Sequence, residues 1–331
     1  MLDLNQLGWK PFFQTQLSAD EWEMYSPGRI AMIHRSHCMV WSAHDEHELQ
    51  IARFKNAKNL AVGDWVALPH EHRETVQRLE RKNELARQAP GGRAQTQLIG
   101  ANVDTLLIVS SCNDDFAESR IERFMALAAQ TNIRPVVVLT KADLTDRSED
   151  FVRAARALDP NIQVECVDAR DPDDLTGLHP LFPTGTTTAL IGASGVGKST
   201  LINNLADADQ ATFEVSTFDG KGQHTTTARS LHPVPDGGLL LDTPGMRELQ
   251  LTACDKGISA VFPDVVQYFD QCRYNNCLHQ SDAGCAIREA IDAGTLDPKR
   301  WQRYQQLHLE QTRYLEALAV REKKTRRPRR R

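Results

Sequence analysis

Three successive hydrophobic patterns predict a multidomain chain: a small all-β barrel, a central α/β domain, and a C-terminal cysteine-rich and helical domain. Short β-type runs separated by turns fill residues 28–88, whereas continuous apolar runs alternating with helical stretches begin at Thr105. After Leu251 a cluster of cysteines precedes long helical sequence. The seams fall so that residues 1–97, 98–250 and 251–331 form the three parts.

In chain order, residues 1–27 are mildly acidic and carry aromatics, and read as a short adaptor segment. Strands follow at 29–33, 38–42, 48–54, 64–68 and 75–79, with Gly63-Asp64 as a turn before Trp65. Short strands at this spacing fit an OB-fold barrel, which binds nucleic acid on one face, and an SH3-like barrel fits the periodicity nearly as well. Residues 86–96, with Pro90-Gly91-Gly92, read as a linker. Apolar strands at 105–109, 135–139, 163–167, 188–191 and 238–241 alternate with helices that include 120–130 and 151–158. That alternation predicts a mainly parallel sheet covered on both faces. The C-terminal helical sequence runs from Ile287 to about Glu322.

Composition bounds the rest. No apolar run approaches the roughly 20 residues that span a bilayer, and the N-terminus lacks a signal-peptide pattern, so a cytoplasmic protein without membrane contact is expected. Seven cysteines are too unevenly spread for a disulfide scaffold. The net charge is −5, but residues 321–331 hold eight Lys or Arg and one Glu, a balance of +7, leaving −12 on residues 1–320. A basic tail on an acidic body predicts polyanion contact through that tail. Nothing in the sequence calls for an obligate dimer, and a monomer is expected.

The segment Gly192, Ala193, Ser194, Gly195, Val196, Gly197, Lys198, Ser199, Thr200 matches the phosphate-binding loop and stands between an apolar strand and a helix. Its glycines let backbone N–H groups curl around a phosphate, and the helix N-terminus adds a favourable dipole. Lys198 is placed to reach the β- and γ-phosphates, and the Ser199 hydroxyl to ligate Mg2+. Thr140-Lys141-Ala142-Asp143 follows another buried strand. A carboxylate there accepts from N1–H and the 2-amino group of guanine, neither of which adenine offers, and the Lys141 stem covers the base. Ala169 offers a backbone N–H for guanine O6. GTP and GDP are therefore the expected ligands.

Asp242-Thr243-Pro244-Gly245 ends a further buried strand; Asp242 is expected to hold Mg2+ through water and Gly245 to sense the γ-phosphate. Between this and the phosphate loop, the glycine- and threonine-rich segment 219–227 is the expected first switch, with Thr225 or Thr226 on Mg2+. Met246 stands where a water-orienting Gln could follow Gly245, so His224 is the substitute candidate. The base motif precedes the phosphate loop by about fifty residues, the reverse of the usual order, which predicts a circularly permuted GTPase domain. Cys272, Cys277, His279 and Cys285 form a closed Cys3His set of the kind that holds one structural Zn2+.

On these residues, together with Gly222-Gln223-His224, Gly63 to Val66 and residues 81–87, the chain resembles the ribosome small subunit-dependent GTPase A (RsgA) family of bacteria. The resemblance covers nearly the whole chain. It implies an N-terminal OB-fold, a central permuted GTPase and a C-terminal zinc domain. It also implies binding to the small ribosomal subunit and its rRNA late in maturation, with GTP hydrolysis stimulated by the subunit. Gln223 stands where the family often has Arg, and Asp168 where Ser is commoner before Ala169. Two other readings are an rRNA-binding module in which guanine nucleotide is mainly structural, and a regulatory GTPase unconnected with ribosomes.

Overall fold

The computed structural model describes residues 2–55, 59–71, 75–88, 96–206, 229–235, 237–242, 254–280 and 282–326. The chain divides into two compact units. One comprises Met1–Ala86, Gln97–Ala117 and Ile133–Leu249, the other Arg87–Thr96, Glu118–Asn132 and Gln250–Arg331.

The first unit opens with two short helices, α1 (Pro11–Gln14) and α2 (Ala19–Met24). Ser18 starts α2 through a reciprocal box, accepting from the Glu21 N–H while the Glu21 carboxylate accepts from the Ser18 N–H. The N-terminal segment is packed down: Leu7 and Phe13 are buried, and the rings of Trp9 and Phe13 lie 4.8 and 5.6 Å from that of Trp65.

The barrel strands are β1 (Tyr25–Ile33), β2 (His37–Ser42), β3 (Asp45–Gln50), β4 (Trp65–Pro69) and β5 (Gln77–Arg78). β1 pairs antiparallel with β2 on one edge and β4 on the other, β2 pairs β3, and β4 pairs β5. A parallel bridge between Phe54 and Val76 closes the ring, which settles the barrel as the partly open OB type. Ile30, Cys38, Val40, Leu49, Phe54, Val66, Leu68 and Val76 fill its interior, following the period-2 alternation of the strands. The third strand departs from expectation: it starts at Asp45 and stops at Gln50. The Ile51 N–H still donates to its ladder partner, the Ser36 carbonyl, at 2.9 Å, and the strand is ended by the 3-10 turn Ile51–Arg53.

The turn before β4 is held by charge and by glycine. The Asp64 carboxylate, fully buried, accepts from the Ala61 N–H at 2.8 Å and from Arg81 Nε and Nη2 at 2.5 and 2.8 Å. Gly63 has φ +91°, and a Cβ there would stand 2.2 Å from the Ala101 carbonyl oxygen. Gly63→Ala is therefore expected to cost about 3 kcal/mol or more, read as a lowered urea midpoint, because neither the backbone conformation nor the contact has room. An unchanged midpoint would show that the turn yields freely.

Arg29, buried in β1, ties three parts of this unit together. Its guanidinium donates to the Leu7 carbonyl, to the Asn102 carbonyl at 3.3 Å and to Thr187 Oγ1 at 2.6 Å. Burial lowers its pKa to about 10, opposed by the nearby Asp104 and Asp64 carboxylates, so it stays charged at neutral pH.

The expected linker is flanked by paired strands, β6 (Glu84–Gln88) and β7 (Thr96–Ala101), which form a two-stranded sheet. The α/β region follows with β8 (Thr105–Ser111), α3 (Glu118–Gln130, which groups with the second unit), β9 (Arg134–Thr140), α4 (Ser148–Arg156) and β10 (Gln163–Cys166). After these come α5 (Pro172–Leu175), β11 (Thr187–Gly192), α6 (Lys198–Leu205), β12 (Ser230–Pro233) and β13 (Leu239–Asp242). Among the described residues the main sheet has 11 strands, and its linear part runs β10-β9-β8-β11-β13-β12-β1-β2-β3. The first five in this order are parallel, and β12 turns antiparallel on β13. β12 then meets β1 at Ser230 and Met32, so the sheet continues into the barrel. Residues 136–139 are buried at every position, as expected for a strand covered on both faces.

In the second unit α3 is joined by α7 (Asp255–Val261), α8 (Pro263–Val266), α9 (Ala286–Asp292) and α10 (Pro298–Arg326). α7 lies against α3 closely enough that a Cβ on Gly257 would stand 2.0 Å from the Ala126 carbonyl oxygen. Glu122, buried on α3, accepts from Arg300 and Arg303 of α10 at 2.5 and 2.9 Å, and Arg300 reaches Asp264 at 3.0 Å. Burial pushes the Glu122 carboxyl up in pKa and the two guanidinium groups pull it back. No helix among the described residues is long and apolar enough to cross a membrane.

Candidate functional site

In an open parallel sheet the loops at the carboxyl ends of the strands converge on one edge. Here that edge carries Cys112 beyond β8, Thr140 at the end of β9, Val167 to Ala169 beyond β10, Gly192 at the end of β11 and Asp242 at the end of β13. The base-reading motif, the phosphate loop and Asp242 are thus each delivered by a strand terminus. The reversed order of the motifs has a plain spatial counterpart: β8 lies between β9 and β11, so base segment and phosphate loop stand on one edge despite their chain order.

The phosphate-loop candidate leaves β11 at Gly192 and enters α6 at Lys198. Gly197, the residue before α6, has φ +92°, which favours glycine in this reversal. Val196 is buried beneath the loop while Ser194, Gly195 and Ser199 are exposed. The Lys198 ammonium folds back onto the loop, donating to the Gly192 carbonyl at 2.9 Å and to the Ala193 carbonyl. A cation held over a curl of backbone at a helix N-terminus is suited to phosphate.

The base-reading candidate is locked to this loop by hydrogen bonds that the sequence did not reveal. The buried Thr140 hydroxyl donates to the Val196 carbonyl at 2.6 Å, with the Ser110 carbonyl also near at 3.1 Å. Its side chain also fills the space beside Gly197, where a Cβ would approach Thr140 Oγ1 to 3.3 Å. This is the local partner available to a threonine at the first motif position. From α6, Asn204 Nδ2 donates to the Ala169 carbonyl at 2.7 Å, which fixes the second base-side segment to the phosphate-side helix. Lys141 takes a left-handed conformation, φ 61° and ψ 34°, and Ala142–Leu144 make one 3-10 turn that carries Asp143. The Ala142 N–H faces the Val167 carbonyl at 3.5 Å.

Asp143 is paired with Arg170, whose guanidinium also lies 3.3 Å from Asp168 Oδ1. The Arg170 N–H and side chain both donate to Asp168 and hold its carboxyl below the usual range, and the two carboxylates raise the Arg170 pKa in turn. Asp168, unusual for its position, is thus matched by a cation two residues on. Arg170 and Asn204 were not singled out in the sequence; an exposed arginine and a helical asparagine carry no spacing signal.

Asp242 lies on β13, the parallel neighbour of β11, and so stands at the phosphate side of the edge. His224, Thr225, Thr226 and Gly245 lie outside the described residues, as do Met246 and the basic positions beyond Arg326.

In the second unit, Cys272, Cys277, His279 and Cys285 bring their ligand atoms within 4.8 Å of one another and could hold a metal ion. His279 Nδ1 stands 3.5 Å from Cys272 Sγ and 3.6 Å from Cys285 Sγ. His279 adopts φ 58°, a left-handed conformation uncommon outside glycine and one that histidine accepts more readily than most residues. The imidazole is stacked on Phe269 at 5.0 Å and met edge-on by Trp301 of α10 at 5.7 Å. The ring is therefore oriented from behind by aromatic packing.

Comparison with known proteins agrees with this geometry. The family model described as RsgA GTPase matches residues 78–252. A protein of Vibrio vulnificus (strain CMCP6) named small ribosomal subunit biogenesis GTPase RsgA 2 is 47% identical over 309 residues, covering 93% of this chain and 88% of that one. A Mesorhizobium japonicum protein named small ribosomal subunit biogenesis GTPase RsgA is 43% identical, covering 92% and 88%. Among solved structures, YloQ, described as a circularly permuted GTPase, superposes with TM-score 0.60 at 26% identity over 87% of this chain and 95% of that chain. YjeQ from Thermotoga maritima shares the fold, with TM-score 0.61 at 23% identity over 87% and 99%.

Proposed function

The chain belongs to the RsgA GTPase family, and from that premise we propose that it hydrolyses GTP in the service of small ribosomal subunit maturation. One observation supports a guanine-nucleotide switch above others: Thr140–Val196 and Asn204–Ala169 hydrogen bonds fasten the base-reading and phosphate-holding segments into one frame. In this reading Asp143 accepts from guanine once it parts from Arg170, the Ala169 N–H faces O6, and Lys141 covers the base. The amides of residues 192–200 and Lys198 stabilise charge on the phosphates. Ser199 and Asp242 would hold Mg2+, which would supply neutralisation of phosphate charge. Thr225 or Thr226 would join them, Gly245 would sense the γ-phosphate, and His224 would orient the attacking water. The proposed parts of the molecule are 1–97, 98–250 and 251–331, acting as a cytoplasmic monomer with rRNA as the surface gripped.

The Cys3His set fits zinc in particular. Tetrahedral Zn2+ with ordinary Zn–S and Zn–N bonds places sulfur and nitrogen ligands about 3.6 Å apart. The observed Sγ to Nδ1 separations are 3.5 and 3.6 Å. With all four positions taken by protein, such an ion is structural.

GTP turnover measured with and without purified small subunits tests the function. Stimulation of roughly tenfold or more, equivalent to about 1.4 kcal/mol off the barrier, is expected. Turnover indifferent to the subunit would favour the binding module in which nucleotide only stabilises the fold.

A further inference from the structure

Beneath the base-reading segment lie two cysteines that nucleotide binding does not use. Cys112 follows β8 and Cys166 ends β10, so the pair brackets β9, the strand between them that delivers Thr140. Their sulfurs are 3.7 Å apart and both thiols are free. Cys112 is buried, whereas Cys166 is half-buried and reachable from solvent. We propose that Cys112 and Cys166 form a peroxide-reactive dithiol whose conversion to a disulfide weakens guanine-nucleotide binding. The proposal rests on the reading of Thr140 to Asp143 and Ala169 as the guanine site.

A disulfide bond is about 2.05 Å long, so the sulfurs need to close by about 1.6 Å from their present 3.7 Å. The two thiols are not equivalent. Their mutual hydrogen bond lowers the Cys166 pKa against burial and the Glu149 and Asp174 carboxylates, while the same bond and burial raise that of Cys112. Cys166, half-buried where Cys112 is buried, is the sulfur that peroxide reaches first and so the attacking thiolate, with Cys112 the resolving thiol. The Cys166 sulfur bonds to one peroxide oxygen, the O–O bond breaks, and hydroxide leaves to be protonated to water. The Cys112 sulfur then bonds to the Cys166 sulfenic sulfur and the S–O bond breaks. The departing hydroxide takes the Cys112 proton as a second water. Two thiols are oxidised by two electrons and one hydrogen peroxide is reduced to two waters.

The consequence for nucleotide follows from what each cysteine holds. The Cys112 N–H donates to the Thr140 carbonyl at 2.9 Å, directly behind the base motif. Cys166 is paired opposite Leu139, and the next residue, Val167, donates its N–H to the Leu139 carbonyl at 2.9 Å and faces the Ala142 N–H with its own carbonyl. Drawing the sulfurs together moves both supports of the turn that carries Lys141 to Asp143. It also shifts Ala169, three residues beyond Cys166.

The test uses the full-length protein, metal-loaded and reduced, exposed to graded hydrogen peroxide. Non-reducing digestion with mass spectrometry looks for the Cys112 and Cys166 peptides joined and two hydrogens lighter. A fluorescent GDP analogue gives affinity before oxidation, after it, and after re-reduction. The expected result is the joined pair with affinity lowered roughly fivefold or more and restored by reductant, and no such change in Cys112→Ser or Cys166→Ser. Absence of the joined pair, joining without a change in affinity, or an equal loss in the serine variants would each overturn the proposal. Failure of the reduced protein to bind GDP would instead sink the guanine-site reading, since the peptide readout is independent of nucleotide.

Discussion

Lys198→Ala is expected to lower the single-turnover rate of GTP hydrolysis by about 10³-fold, equivalent to roughly 4 kcal/mol of lost transition-state stabilisation. The size follows from the position of the ammonium. It already lies within the curl of the phosphate loop, held by the Gly192 and Ala193 carbonyls, so little reorganisation separates its resting place from a bound phosphate. Removing it leaves the backbone amides to face the charge on the transferring group alone. The fold should tolerate the change, because Lys198 is half-exposed at the start of α6. Lys198→Arg is not expected to restore turnover, since a planar fork cannot take the place of a compact point charge within so tight a curl. An alanine variant that turned over within threefold of the parent would remove Lys198 from the chemistry.

Metal removal has the second large effect. Binding free energies of structural zinc sites in small domains are about 10–16 kcal/mol, and in such domains that energy is folding energy. The present cluster has one buried ligand, Cys285, and three half-buried ones, with little apolar core between Cys272 and Cys285 to replace the ion. Stripping the ion should free His279 from its left-handed conformation and break its stack on Phe269. Trp301, Tyr304 and His308 continue that aromatic contact along α10, so its first turns should loosen as well. The readout is limited proteolysis with metal analysis. Cleavage should appear between residues 272 and 285 in metal-free protein, and Cys272→Ser should reproduce it. Unchanged protease resistance after verified metal loss would show that packing alone sustains the region.

Much of the candidate nucleotide site was legible because the motifs proposed for it are tied to strand ends. A buried apolar run followed by glycines, or by a threonine and an aspartate, is a local signal, and Thr140, Gly192 and Asp242 all stand where such runs predict. The bonds that turn these segments into one frame were not legible. Thr140 and Val196 are 56 positions apart, Asn204 and Ala169 are 35, and neither pair leaves a periodic trace. Arg170 was missed for a related reason: its importance lies in Asp143, 27 positions earlier. The barrel strands were found to within a few residues except β3, where the Ile51 N–H takes one last ladder partner, the Ser36 carbonyl, and the chain then folds into the 3-10 turn Ile51–Arg53. The grouping of α3 with the C-terminal helices rests on its packing against α7, where Gly257 approaches the Ala126 carbonyl, and on Glu122 meeting two arginines about 180 residues later, contacts that no window of sequence contains.

The pairing of Ser230 with Met32 has a practical bearing on how this chain can be cut. β12 has β13 on one side and β1 of the barrel on the other, so deleting the barrel would leave it as a raw margin of unpaired amides and carbonyls. Such margins recruit other strands and seed aggregation. The same deletion would remove Arg29 and strand the buried Thr187 hydroxyl that it satisfies. The barrel therefore doubles as the selvedge of the nucleotide-binding sheet, and a fragment that begins after it inherits a sticky border.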